Sequence, residues 1–413
     1  MRTDVEERVC FEKRLRFYIS VVLLILLFLV PLLFTIRVGS GTVNLAVASF
    51  QMLFSLLFIT AIKTEALYLL KYGWASKILL VSMCLCFLGW LFYFIPVFGL
   101  FRTWFYLAQP LFFLAFVGWF RAYGDTGFSW VFLAKLISTL FALIVISIYL
   151  SDTPDTLKFD VRPNPPIYSH IRHLNYDLAF VASLSFYYYR ISGRVIGSLF
   201  LLLLAVVGYF TVWSFARGEL LSLAIFLGIL FLNKYRLTKM LDKATLLPLA
   251  FFVIGAVFVF LLGETYLVQQ NYIAAESMDQ YSSGRISTWQ QAFMRLNEYH
   301  AWLFGMGPDA SLRLGIQRGG TVQPHNFLVQ WLLEFGIVGT FGLCAAFGSV
   351  ATMAFKLLRN NASFRLPQAV AALFLSTLCY ALVDGQFYHG LALSMILIMC
   401  AYLVVLDSAV DRR

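Results

Sequence analysis

The stretch from Phe17 to Ile36 limits the fold of this chain more than any other: it is apolar almost throughout, carries no charge and shows no polar–apolar alternation. A helix needs about 20 such residues to cross a hydrocarbon core of about 30 Å. A spanning barrel strand would alternate instead, and helices and closed barrels are the only backbones that satisfy their own hydrogen bonds in lipid. Similar runs recur to the end of the chain. Composition agrees, with 61% hydrophobic and 13% charged residues against roughly 25% charged in soluble domains. The expected fold is therefore an all-α polytopic membrane protein. Runs near 17–36, 42–62, 77–96, 103–120, 128–150, 174–191, 195–214, 218–233, 244–263, 338–357, 366–383 and 389–406 predict about twelve transmembrane helices.

The first run follows Arg8, Lys13, Arg14 and Arg16 and could imitate a signal peptide, but it exceeds a signal core of roughly 7 to 15 residues. A retained first helix is expected. An even number of spans puts both termini on one side, and the basic loops then gather there, including Lys234, Arg236, Lys239, Lys356 and Arg359. The short loops opposite hold only Arg37, Arg102 and Arg217. By the positive-inside rule the termini are cytoplasmic, and the net charge of +10 is an orientation signal. No nucleic-acid partner is expected; the lipid bilayer is. The six cysteines show neither disulfide nor zinc spacing and read as small core residues.

The remaining polar material collects on the outer side. It comprises Ser151 to Arg172, the break at Ser214 to Gly218, the long loop from Glu264 to Pro324, and the turn Asp384-Gly385-Gln386, with all five histidines. Three parts follow: transmembrane helices 1–9 with short loops over 1–263, a catalytic loop containing short helices over 264–325, and transmembrane helices 10–12 over 326–413. A transporter would scatter polar groups through the midplane. Here the spans read as clean apart from Lys135, expected to snorkel from the inner end of its helix.

Within the long loop, Ser282 and Ser283 are expected to cap a helix from about Arg285 to Tyr299, with Ile286, Trp289, Phe293 and Leu296 on one face. Arg285 at that helix start, beside free backbone N–H groups, makes an anion site. Arg217 sits at a break between spans, where its fork suits phosphate oxygens, although pairing with Glu219 is the plainer alternative. His325 precedes an apolar helix and as a neutral imidazole would serve as general base. Asn326 would orient that ring, bind substrate or cap the helix. Trp289, Trp302 and Tyr281 would stack on sugars or anchor at the interface. Asp384, Gln386 and His389 lie on the same face and are read as structural. No metal-ligand spacing is seen, and neither a metal nor another cofactor is expected.

Taken together, His325-Asn326 followed by Gly336-x-x-Gly339-Thr340 resembles the signature of the O-antigen ligase and polymerase superfamily of bacterial envelope glycosyltransferases. Ser214-Phe215-Ala216-Arg217-Gly218 resembles that family's arginine motif, Ser283-Gly284-Arg285 with Trp289 its loop motif, and Gly305-x-Gly307 a glycine pair between them. Ile171-Arg172-His173-Leu174-Asn175 is similar to a patch of some members. The resemblance implies a fold of the GT-C type with a periplasmic loop. It also implies a metal-independent inverting ligase that moves a glycan from undecaprenyl diphosphate to a sugar hydroxyl of the lipid A core, at the periplasmic face of the inner membrane. A polysaccharide polymerase, or a protein O-oligosaccharyltransferase acting on pilin, shares the motifs. On this resemblance His325 is catalytic, Arg217 and Arg285 bind and stabilise the diphosphate, and Asn326, Arg172 and His173 join the substrate site.

Overall fold

The computed structural model describes residues 2–33, 40–90, 97–152, 167–168, 171–214, 216–232, 243–262, 284–313, 324–360 and 365–410. They form helices α1 (Arg2–Leu33), α2 (Ser40–Leu57), α3 (Ile59–Tyr72), α4 (Trp74–Trp90), α5 (Val97–Asp152), α6 (Ile171–Ile191), α7 (Arg194–Trp213), α8 (Arg217–Leu232) and α9 (Lys243–Leu261). Then come α10 (Arg285–Glu298), α11 (Ala310–Arg313), α12 (Phe327–Asn360), α13 (Leu366–Ala381), a 3₁₀ turn (Gln386–Tyr388) and α14 (Gly390–Val410). No strand occurs among the described residues, so the all-α expectation holds.

The described part of every predicted run falls on helix, but runs and crossings do not map one to one. Stretches of α5, α7, α12 and α14 are long and apolar enough to cross a membrane, and the pair α2 and α3, bent by 90° at Phe58, makes a fifth candidate. Helices α4, α9 and α13 are apolar but shorter. The runs at 103–120 and 128–150 belong to one helix, α5, redirected at Gly124 without an intervening loop. A count of about twelve crossings is thus not established.

Helix α6 lies at the centre, with every residue from Leu174 to Tyr187 buried. It packs against α5, α7 and α8, while α13 and α14 close the core beside it. Its buried face includes Asp177, which pairs with Lys135 of α5 and accepts a 2.7 Å hydrogen bond from the Tyr168 hydroxyl. Lys135 therefore does not snorkel: its side chain is wholly buried. A lysine enclosed by neighbouring helices gains more from a carboxylate than from reaching a distant interface. Nor are the spans otherwise clean. Gln51 donates to Ser394 at 2.8 Å, and Thr211 donates to Glu219 at 2.6 Å. Hydrophobicity gives helices no reason to associate in lipid, so such polar contacts help define which helices meet.

The loop after α10 docks backbone to backbone in a notch of α12. Gly336 interrupts α12 at φ +63°, and the gap receives the segment 301–307. Met306 and Gly307 donate to the carbonyls of Leu333 and Glu334 at 2.8 and 3.0 Å, while Ile337 and Val338 donate to those of Trp302 and Leu303 at 2.7 and 3.0 Å. A Cβ on Gly336 would come within 2.4 Å of the Gly305 nitrogen, and one on Gly305 within 2.4 Å of the Glu334 carbonyl carbon. Only glycine fits both positions, which gives the two glycine motifs a shared structural cause.

Candidate active site

Four helix starts converge on the turn between α13 and α14. Arg172 is the second residue of α6, Arg217 the first of α8 and Arg285 the first of α10, while His325 stands just before α12. A cation at a helix N-terminus opposes the macrodipole and costs roughly 0.3–1 kcal/mol. Repeating that cost at three converging helices makes a region of concentrated positive charge.

His325 is buried and held in the left-handed region at φ +50°, which a non-glycine residue occupies at a cost of order 1–3 kcal/mol. Arg172 Nη1 lies 2.5 Å from Nε2 of the ring and 3.1 Å from Nδ1. Asp384 Oδ1 lies 3.4 Å from Nδ1. A guanidinium can only donate, so Nε2 is the accepting nitrogen and Nδ1 carries the proton facing the carboxylate. Asp384 also accepts from the Tyr176 hydroxyl at 2.9 Å and from the Gly385 N–H at 2.7 Å.

The charges set the protonation states. Burial, assisted by Arg172, pushes His325 down to about 4 against the opposing hydrogen bond and charge of Asp384, so the imidazole is neutral at pH 7. Burial alone would raise Asp384, but the His325 hydrogen bond and the charges of Arg172 and Arg285 outweigh it and hold the carboxyl far below its ordinary range. Arg285 is lowered by burial and by Arg172 and Arg217, against Asp384. Arg172 and Arg285 thus act on the Asp384 carboxylate, and Arg217 acts on Arg285. The buried Nε of Arg285 has no hydrogen-bond partner among the described residues, leaving donor capacity in the site.

His173 joins from α6, its Nε2 3.2 Å from Nε2 of His389. One ring must donate and the other accept. Among the described residues no three His, Cys, Asp or Glu side chains cluster as metal ligands would.

Other expectations resolve differently. Asn326 caps α12, its Oδ1 accepting from the Leu328 and Val329 N–H groups at 2.9 and 3.2 Å, and its Nδ2 donates to the Leu382 carbonyl at 2.8 Å. Capping thus occupies the side chain, and its tie to Leu382 helps bring the Asp384 turn beside His325. Helix α10 forms at 285–298, but its N-cap is Gly284 at φ +75°; Ser282 and Ser283 lie outside the described residues, as does Tyr281. Its buried face is Ser287, Thr288, Ala292 and Leu296 with Trp289 and Phe293 against them, and Ile286 points outward. Trp289 donates from Nε1 to the Pro324 carbonyl and so tethers the segment that ends in His325. Gly218 follows Arg217 because the Tyr380 ring lies where a Cβ would stand, 2.0 Å away.

Asp384, which the sequence reads as structural, is the residue that the fold brings to His325. Its one legible signal was charge: arginines and a histidine on one face imply a carboxylate opposite.

These features define an all-helical membrane protein with a cationic, histidine-bearing site at one end of its bundle. Residues 198–344 match the family model described as O-Antigen ligase, which supports the resemblance to the O-antigen ligase and polymerase superfamily, whose members are glycosyltransferase-like enzymes. No curated protein matches the chain. The matched region spans Arg217, Arg285, His325 and the Gly336 notch; Arg172, His173, Asp384 and His389 fall outside it.

Proposed function

We propose that this chain is an inverting glycosyltransferase that moves a glycan from undecaprenyl diphosphate to an acceptor hydroxyl at the periplasmic face of the inner membrane. The observation that carries this reading is the meeting of Arg172 and Arg285, each at a helix start, around the His325–Asp384 pair, with Arg217 at a third helix start beside Arg285. Three guanidinium groups against one carboxylate leave a net positive site, suited to a diphosphate. In the reaction Arg172 turns from Nε2 of His325 to the diphosphate, the acceptor oxygen attacks the anomeric carbon, and its proton passes to the freed Nε2. The bond from that carbon to the phosphate oxygen breaks, and both electrons leave with the diphosphate, whose growing charge the arginines stabilise. Asp384 keeps the proton on Nδ1 and supports the imidazolium that forms.

The acceptor favoured is a sugar of the lipid A core, in keeping with the description of the matching family. On this reading 264–325 is a periplasmic lid between the membrane parts 1–263 and 326–413, completed by Arg172 and Asp384 from outside it.

Purified protein given a polyprenyl-diphosphate glycan and acceptor should release the diphosphate carrier. His325→Ala should lower turnover by about 10² to 10⁴, and Arg285→Ala by about 10² to 10³. Wild-type turnover by both variants would require abandoning the site. Activity that survives strong chelation would leave charge stabilisation to the arginines, whereas loss restored by magnesium would show that a cation shares it. A deletion strain separates the acceptors. Uncapped lipopolysaccharide with lipid-linked polymer retained marks a ligase, a single-repeat cap a polymerase, and a changed pilin mass a protein transferase.

A further inference from the structure

A second buried charge cluster lies beside the site. Arg102 of α5 is only 4% exposed, and none of its three guanidinium nitrogens has a hydrogen-bond partner among the described residues. Instead its Cζ stacks 3.7 Å from the ring centroid of Tyr388 and 4.9 Å from that of Tyr106, with Asp309 Oδ1 3.8 Å from Nε. The Tyr388 hydroxyl donates to the same Asp309 oxygen at 2.8 Å, and the Tyr106 hydroxyl donates to Glu334 of α12. Burying an unpaired guanidinium is prohibitive, so this arrangement holds only while the aromatic faces and carboxylates stay in place. Two carboxylates already face Arg102, and a bound anion would meet both. The cluster is therefore built to hold protein, not ligand.

It joins α5, the segment after the docked loop and, through Tyr388, the 3₁₀ turn Gln386–Tyr388. On the other side of that turn, Asn44 of α2 accepts from the Gly390 N–H at 2.8 Å. Asp384 lies two residues before the turn and His389 directly after it, so whatever fixes Tyr388 also fixes the carboxylate that faces His325.

We infer that Arg102 and Tyr388 form a positioning clasp that holds the Asp384 turn in register with His325; for its kinetic consequence the inference rests on the transferase reading above. The clasp acts through Asp384 and touches no substrate.

Two measurements test it. Hydrogen exchange of peptides covering 385–389 reads the turn directly, and it should quicken in Arg102→Met and in Tyr388→Phe relative to wild type. Tyr388→Phe keeps the ring under Arg102 and so folds even if Arg102→Met does not. In steady-state kinetics Tyr388→Phe should lower kcat about tenfold with donor KM within about twofold, and added to Asp384→Asn it should cost at most about twofold more. A merely structural defect would multiply with Asp384→Asn instead. Unchanged exchange in Tyr388→Phe, independent multiplication with Asp384→Asn, or a rise in donor KM alone would overturn the clasp. Wild-type protein inert toward every polyprenyl-diphosphate glycan would sink the transferase reading, and the exchange measurement would still decide whether the clasp exists.

Discussion

A histidine with an arginine on one ring nitrogen and an aspartate facing the other has its tautomer chosen for it, which matters more here than raw basicity. Burial and Arg172 hold His325 at about 4, below the roughly 6.5 of a free imidazole. The ring is the basic form at any pH above that value. The rising limb of kcat/KM against pH should accordingly lie near 4 and not near 6.5, and activity should be flat across neutrality. In Asp384→Asn the one nearby charge that favours protonation is lost, so the limb should move lower still. At neutral pH turnover should fall about ten- to a hundredfold, because the Nδ1 proton is no longer directed and the imidazolium is unsupported. A pH–rate series on both proteins checks the two statements together; a limb near 6.5 in wild type would show that the ring is solvated and the site open. The roles proposed for His325 and Arg285 were legible in the sequence, from residue type and setting read together with the family resemblance. That of Asp384 was not, because an Asp-Gly pair between apolar runs is the ordinary signature of a turn, and only the folded chain brings it to the imidazole.

Helix α12 shows what a motif can conceal. Gly336-x-x-Gly339-Thr340 is visible as a pattern, yet the cause of its first glycine is a set of backbone hydrogen bonds between the notch and the segment 301–307. Main-chain pairing leaves no side-chain trace, so nothing in residue type announces that Gly305 and Gly336 touch. Gly336→Ala should be severe. The backbone at φ +63° and ψ −168°, a region that glycine occupies almost alone, costs an alanine roughly 1–3 kcal/mol, and its Cβ would meet both the Gly305 nitrogen and the Leu303 carbonyl at 2.4 Å, neither of which can move without undocking the loop. Gly348, in the same helix with nothing within 4 Å of its missing Cβ, is the control; Gly348→Ala should be neutral or stabilising by up to about 1 kcal/mol. Thermal midpoints in detergent compare them. Equal midpoints would mean that the notch is dispensable and that the loop is held by the apolar contacts of Ala301, Met306 and Leu333 alone.

For the molecule as a whole, hydropathy located the helices but could not count the crossings. Bends such as those at Phe58 and Gly124 change how runs map onto the membrane without altering their composition. Hydropathy was equally silent on which helices meet, and the buried pairs carry part of that information. Lys135 of α5 and Asp177 of α6 form one such pair, and Asp177 lies five residues below Arg172, about 7.5 Å along the helix at 1.5 Å per residue. Fixing Asp177 against Lys135 therefore sets how far Arg172 projects toward His325. Removing either partner leaves a bare charge among apolar helices, at a cost of about 3–5 kcal/mol. Lys135→Met and Asp177→Leu should each lower the yield of folded protein and its thermal midpoint sharply. The double variant should recover most of the loss, short of the roughly 1–3 kcal/mol for the Tyr168 hydroxyl left without its acceptor. Recovered stability should return turnover only in part, since apolar packing restores contact between the helices without restoring a fixed height. A double variant as unstable as the single ones would show that the pair does not register α5 against α6, and the placement of Arg172 would then have to come from the α6 contacts with α7 and α8.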